Sequence, residues 1–356
     1  MTTAGKQTFI RDLAPGIQVA DLFLISGMNL AETKAGKPYL ALTIMDSSGE
    51  IQARVWENAE RFAPLVQPGK IVHLRGVAQS FRDVLQLKVD HITAVNNQAG
   101  LDLGDFMPAT TYDVDAMAAE LLKIIRSIGD DLLRTVVLKI FGNADFFARF
   151  CRAPAAKKMH HAYLGGLLEH TLSVTRLALK VVDHYPGVDR DLLVAGAALH
   201  DVGKVKEFQF ETLPYDYTDS GRLVGHLVLG AEMVRCAAED EKGDSLRLDQ
   251  LVHLILSHHG RYEYGSPCLP MTLEAMLLNF IDDMDSKVNY IDNLSKNLDE
   301  PGYQWSAYQR PLERFLFLRR PEDEARHTPP ETVPAAETEG QNRQVPLQTT
   351  KQQTLF

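Results

Sequence analysis

A chain of 356 residues has room for two domains and a tail, and its 45% hydrophobic and 24% charged residues are ordinary for a globular protein. A net charge of −10 excludes a uniformly basic nucleic-acid binder, so any grip on a polyanion has to come from a local patch. The three cysteines, Cys151, Cys236 and Cys268, lack CxxC spacing, which excludes a disulfide framework and a zinc ribbon; with no signal-peptide core and no apolar run of membrane-spanning length, the expected location is cytoplasmic, away from membranes.

Period-two alternation predicts strands across residues 8–97. Gln18–Ser26 and Tyr39–Met45 come first, then the turn Asp46–Gly49 and alternating Glu50–Trp56. A short helix is expected over Asn58–Leu65, and Lys70–Val77 and Val84–Ile92 complete the set. Five strands with a helix between the third and fourth is the order of an OB-fold barrel, which often grips single-stranded nucleic acid across one face. Lys34, Lys37, Arg54, Arg75, Arg82 and Lys88 are candidate phosphate contacts, and Tyr39, Trp56 and Phe81 are candidates for base stacking. The same residue types also form cores and solvated faces, and small barrels also dock proteins, so residue type alone leaves these uses open.

Residues 98–112 read as a linker, polar and broken by Pro108. Helical periodicity then runs from 113 to about 320. Asp113 is the expected N-cap of Val114–Ile128, followed by Asp130–Phe141 and Ala144–Cys151. Tyr163–Tyr185, Asp191–His200, Leu223–Ala238, Ser245–His258 and Thr272–Leu294 are further helices, with a loop or short hairpin over Phe208–Gly221. From 321 to 356 Pro, Glu, Thr and Gln dominate, a composition that cannot bury enough surface to fold, so a disordered tail is expected.

The helical part is organised around Ala195–Lys204. A small-residue apolar helix runs into His200 and Asp201, and a sharp turn at Gly203 is expected to present Lys204. Burying an adjacent His and Asp unpaired is costly, and a metal ion satisfies both. Other metal-type side chains sit at His170, His226, His258, His259 and Asp282, each on its own helical pattern. A lone helical His is ordinary; the ordered set His…His-Asp…His…His-His…Asp is not.

That set resembles the HD-domain metal-dependent phosphohydrolase superfamily over residues 155–295. His170, His200-Asp201 and Asp282 match its His…His-Asp…Asp pattern, and His226, His258 and His259 match the extra ligands of its two-metal members. Behind an OB-like domain, the stretches Gly165–Thr171, Leu199–Lys204, Gly225-His226, Ser257–Gly260 and Pro270–Ala275 are similar to the bacterial YhaM-type 3′→5′ exoribonucleases. The resemblance implies a multidomain chain: an all-β OB-fold barrel, then an all-α HD domain over 113–320. It implies hydrolysis of single-stranded RNA, or single-stranded DNA, from the 3′ end to nucleoside monophosphates. It also implies two divalent transition-metal ions, with Asp201 bridging, His170, His200 and Asp282 completing one site, and His226, His258 and His259 the other. Mixed imidazole and carboxylate donors suit manganese, the leading expectation, or iron, cobalt, nickel or zinc, better than magnesium.

Around that set, Asp201 and Lys204 are the catalytic candidates, Lys204 neutralising a phosphate oxygen in the transition state. Arg261 and Lys287 are further phosphate candidates, and Tyr262 or Tyr264 is a stacking candidate. Asp285, one turn after Asp282, is a partner to a ligand or an alternative ligand. His160 and His161, with Lys157 and Lys158, are expected to line the entrance, and Glu169 and Asp283 to face elsewhere. A free nucleotide or cyclic dinucleotide is the alternative substrate, although Gly260-Arg-Tyr-Glu263 stands where cyclic-di-GMP members carry Gly-Tyr-Pro. A non-catalytic nucleic-acid binder is the third reading, which the complete ligand set disfavours. At the end of the tail, Gln352, Leu355 and Phe356 fit the Gln-x-x-Leu-Phe peptide that docks on bacterial sliding clamps, a possible partner contact.

Overall fold

In the first strands the sequence alternation becomes inside and outside. The structure, a computed structural model, describes residues 6–33, 35–81, 84–95, 101–157, 161–210, 215–296, 298 and 302–320. In β2 (Pro38–Asp46) Leu40, Leu42 and Ile44 are fully buried while Tyr39, Ala41 and Thr43 are part-exposed. With β1 (Gln18–Glu32), β3 (Gly49–Val55), β4 (Ile71–Phe81) and β5 (Val84–Ala94), this strand closes a barrel in the order β1-β2-β3-β5-β4. All pairs are antiparallel except β3 with β5, where Gln52, Ala53 and Arg54 pair with Gln86, Leu87 and Lys88. Helix α1 (Ala59–Phe62), between β3 and β4, sends Phe62 into the barrel core. This is the closed OB-fold barrel expected from the strand order.

The helical part follows with α2 (Val114–Arg126), α3 (Asp131–Phe141), α4 (Ala144–Arg152), α5 (Gly166–His184), α6 (Arg190–Leu199) and α7 (Lys204–Glu207). A minimal hairpin, β6 (Phe208–Gln209) with β7 (Asp216–Tyr217), precedes α8 (Asp219–Leu223), α9 (His226–Ala238), α10 (Ser245–Ser257) and α11 (Leu273–Lys296). The starts are set by local chemistry: Asp113, Asp130, Asn143, Asp189 and Asp244 each accept a hydrogen bond from a backbone N–H of the first turn that follows. Helix α6 buries every residue from Leu192 to Leu199, so it forms the centre of the helical core. Its small residues let neighbours approach closely; a Cβ at Gly196 would lie 2.4 Å from Leu254 Cδ2. Leu24 and Ile71 of the barrel share one buried cluster with Phe106, Met107 and this core, so barrel and helices pack directly.

Three expectations are corrected. The helix expected from Leu223 is two: α8 ends there, and Gly225, at φ +79°, turns the chain so that α9 begins on His226. Gly203 is not a special turn, because its backbone is ordinary right-handed helix; a Cβ there would sit 2.1 Å from the His226 carbonyl oxygen, so glycine is needed for close approach. Helices do not continue to residue 320. They end at Lys296, and β8 (Gly302–Trp305) pairs antiparallel with β9 (Phe317–Arg320). Alternating aromatic residues favour strand over helix there. This hairpin belongs to a second compact unit that begins at Ser295.

Among the described residues no helix is long and apolar enough to cross a membrane. Lys34, Arg82, Lys158, His160 and the stretch 321–356, with Gln352, Leu355 and Phe356, lie outside the described residues.

Candidate metal centre

Each predicted ligand sits where a helix begins, ends or faces inward. His170 lies in the first half of α5, His200 caps the C-terminus of α6, and His226 opens α9. His258 caps α10 with His259 beside it, and Asp282 projects from α11. The core brings all seven to one place, with Asp201 in the middle. Its Oδ2 lies 3.6 Å from His170 Nε2 and 3.5 Å from His200 Nε2. Its Oδ1 lies 3.5 Å from His226 Nε2 and 3.5 Å from His258 Nε2. One carboxylate therefore serves two ring clusters, one oxygen each. Asp282 Oδ1 completes the first, 3.1 Å from His170 Nε2, and His259 Nε2 the second, 3.3 Å from His226 Nε2.

The five rings share one orientation. Each Nδ1 faces an acceptor: Asp285 Oδ2 for His170 at 2.7 Å, the Ala197 carbonyl for His200 at 2.8 Å, and Glu207 Oε1 for His226 at 2.9 Å. The Ile255 carbonyl serves His258 at 2.8 Å and the Tyr264 carbonyl serves His259 at 2.8 Å. With Nδ1–H donating outward, Nε2 of each ring points into the cluster, which is how metal-binding histidines are oriented. Asp201 Oδ1 and His258 Nε2 are buried without a hydrogen-bond partner, an arrangement that costs free energy unless a cation lies between them. The 3.1 Å between His170 and His200 Nε2 matches two donors sharing one ion at roughly 2.1 Å each. The donor set therefore fits divalent metal.

Electrostatics divide the rings. Burial disfavours a cationic His170, yet hydrogen bonds to Asp282 and Asp285 outweigh it and push its pKa up to about 10. Burial, aided by neighbouring rings, holds His200 down to about 4 and His259 to about 3, so both are neutral donors at pH 7. Burial opposes ionisation of Asp201 and Asp282, but Lys204 and the rings hold Asp201, and His170 and His200 hold Asp282, below the usual carboxylate range.

The other candidates separate. Lys204 is buried and donates to Asp201 Oδ2 at 2.6 Å, so its charge is already engaged by the central carboxylate. Arg261, Tyr262 and Tyr264 are exposed on the loop whose Tyr264 carbonyl holds His259. Lys287 pairs with Asp283 at 2.6 Å on the exposed side of α11. Glu169 takes hydrogen bonds from Thr110 and Tyr163. His161 does not line an entrance: it is buried, with Nε2 3.6 Å from Asp285 Oδ2, while Lys157 pairs with Asp216. On the barrel, Tyr39 and Trp56 stack on each other at 4.8 Å between centroids. Arg54, opposite Ala41 in the same pair of strands, donates to Gln52 Oε1 at 3.1 Å. Sequence reasoning missed Glu207 and Ser173. Ser173, which donates to Asp285 Oδ1, is one helical turn after His170 and readable by spacing; Glu207 carries no such signal, being 19 residues from His226.

A helical fold built around this ligand set, behind an OB barrel, defines an HD-domain hydrolase that carries an OB-fold nucleic acid binding domain. The HD-domain model matches residues 167–287, and the model described as an OB-fold nucleic acid binding domain matches 24–95. A third, a helicase model, overlaps residues 111–186, which contain only His170 of the ligand set. The chain is 35% identical to the 3′-5′ exoribonuclease YhaM of Bacillus subtilis over 287 residues, 81% of this chain and 90% of that one. It is 36% identical to YhaM of Listeria innocua over 286 residues, 80% and 90% of the two chains. The chain belongs to the YhaM family. Among solved structures it is similar to the second OB-fold domain of replication protein A from Methanococcus maripaludis, at 20% identity over 26% of this chain and 96% of that one, with a TM-score of 0.22.

Proposed function

We propose that this protein is a metal-dependent exonuclease that hydrolyses single-stranded RNA from the 3′ end, and single-stranded DNA by the same chemistry, releasing nucleoside monophosphates. One observation carries the reading: a single carboxylate, Asp201, offers one oxygen to each of two histidine clusters. Two divalent ions, manganese first and otherwise iron, cobalt, nickel or zinc, would be held by Asp201 with His170, His200 and Asp282, and by Asp201 with His226, His258 and His259. When bound, such a pair supplies polarisation of the phosphoryl oxygens and a lowered pKa for the attacking water.

The chain's own residues do the rest. Lys204, seated on Asp201, adds a positive charge beside the position where negative charge builds on the scissile phosphate. Arg261 takes the neighbouring phosphate, and Tyr262 stacks on the terminal base. Lys287, paired with Asp283 in the free protein, is the outlying phosphate contact. Tyr39, Trp56 and Arg54 form one outward patch on the barrel that holds the strand upstream. Gln352, Leu355 and Phe356 are proposed to reach a bacterial sliding clamp, on sequence pattern alone. The work is expected in the cytoplasm.

The test is a time course on 5′-labelled single-stranded RNA and matching DNA, with Mn²⁺ or chelator. A ladder that shortens from the 3′ end, vanishes with chelator and vanishes in Asp201→Ala supports the reading. Intact strands under every divalent metal, with a free nucleotide hydrolysed instead, would overturn it.

A further inference from the structure

The second unit carries an exposed aromatic surface that the metal centre does not use. In the β8–β9 ribbon Tyr303 pairs with Arg319 and Trp305 with Phe317, so these four side chains stand on one face. The opposite face carries Gln304 and Leu318, and Leu318 is buried. The ring of Phe317 stacks on Tyr303, 5.2 Å between centroids and 23° between planes, and lies 5.0 Å from Trp305. The guanidinium of Arg319 lies over Tyr303 at 6.0 Å. Four planar groups thus form a row. At the tip of the ribbon Tyr308 and Phe315 meet edge to face at 5.3 Å. All five aromatic residues are between 50% and 68% exposed. So dense an apolar patch on a surface marks a binding face.

Charge selects the occupant. Gly302–Arg320 contains Arg310, Arg314, Arg319 and Arg320 against Glu313 alone, a net +3 (4 − 1) within a chain of −10. Stacked rings interleaved with guanidinium groups form a platform on which successive bases lie while arginines meet phosphates, and it tolerates any base because every base has a π-face. We propose that the β8–β9 ribbon is a second binding surface for single-stranded nucleic acid, distinct from the barrel, with Tyr303, Trp305 and Phe317 as stacking groups and Arg319 as a cationic end to the row. The ligand class rests on the single-strand reading above; the placement on this ribbon does not.

The experiment measures affinity of the full chain for 5′-fluorescein-labelled single-stranded U20 and dT20 by anisotropy in chelator, where no strand is cut. Tyr303→Ala and Trp305→Ala are each expected to weaken binding about 5- to 150-fold, the range of a lost base–aromatic stack. Trp305→Phe is expected to retain most of the affinity. Arg319→Gln, which spares the rings, is expected to lower the salt slope by about one. Circular dichroism checks that each variant is folded, and sedimentation velocity follows assembly. Unchanged affinity and salt slope in folded variants overturn this inference and leave the proposed function standing. Variants that alter sedimentation but not affinity overturn it in favour of an interface between copies. A wild-type chain that binds neither oligonucleotide overturns both readings.

Discussion

Glu207 holds His226 at two points with one oxygen: Oε1 accepts from the ring Nδ1 at 2.9 Å and from the backbone N–H at 3.1 Å. The first bond sets the tautomer, the second the start of α9, so ring and helix are aimed together. Replacing Glu207 with Ala is expected to weaken metal affinity by roughly 10- to 100-fold, the usual cost of losing the partner behind a ligand. Calorimetric titration with Mn²⁺ checks this, and an unchanged affinity would refute the positioning role.

Lys204 and Asp201 form a buried pair at 2.6 Å. Removing the ammonium leaves the carboxylate buried without its closest cation. Lys204→Met is therefore expected to destabilise the metal-free protein by about 3–5 kcal/mol, measured by urea unfolding in chelator. Added Mn²⁺ is expected to recover part of that loss, because the ion replaces the missing positive charge. A loss under about 0.5 kcal/mol would show that the pair contributes little.

Arg247 ties two helix caps together. Its Nε donates to Asp130 at 2.8 Å and its Nη1 to Asp189 at 2.6 Å, the residues that start α3 and α6. Arg247 lowers the Asp189 pKa; at Asp130 burial pulls upward, but the Leu133 N–H and Arg247 outweigh it. Folded carboxyls with depressed pKa contribute stability that is present above their unfolded value near 4 and is lost as pH falls through the lower folded value. Arg247→Leu is expected to cost about 1–3 kcal/mol at pH 7. The gap to wild type should narrow below about pH 4, because both carboxyls become protonated. Urea titrations at pH 7, 5 and 3 give the comparison; a gap that widens on acidification would contradict the assignment.

Two glycines make a contrast. A Cβ at Gly203 would meet backbone, 2.1 Å from the His226 oxygen and 2.7 Å from the Gly230 nitrogen, so α9 and its ligand must shift. At Gly196 the nearest atoms belong to the Leu254 side chain, which can turn. Gly203→Ala is expected to lose both metal affinity and stability. Gly196→Ala is expected to cost about 1–3 kcal/mol of stability with affinity retained. Equal affinity losses in the two variants would contradict the close-approach argument.

Features set within a few residues are legible in the chain: the alternation that makes the barrel, the Asp113 cap, and the ligand-type residues at helix ends. Asp113 caps α2, as spacing predicts, because a cap needs only its own first turn. What each ligand touches is settled by the packing of distant segments. His170 meets His200 across 30 residues and Asp285 across 115, and the division of Asp201's two oxygens between two ring clusters depends on where five separate segments pack. Lys204 was readable as a cation near the site, but its engagement by Asp201 was not, because a side chain's partner depends on the packed surroundings. Helical periodicity carries the helical domain through residues 302–320, where the structure has a ribbon. Its strands form because Tyr303 and Trp305 find Arg319 and Phe317 across a turn, a cross-strand pairing that no single-segment periodicity contains.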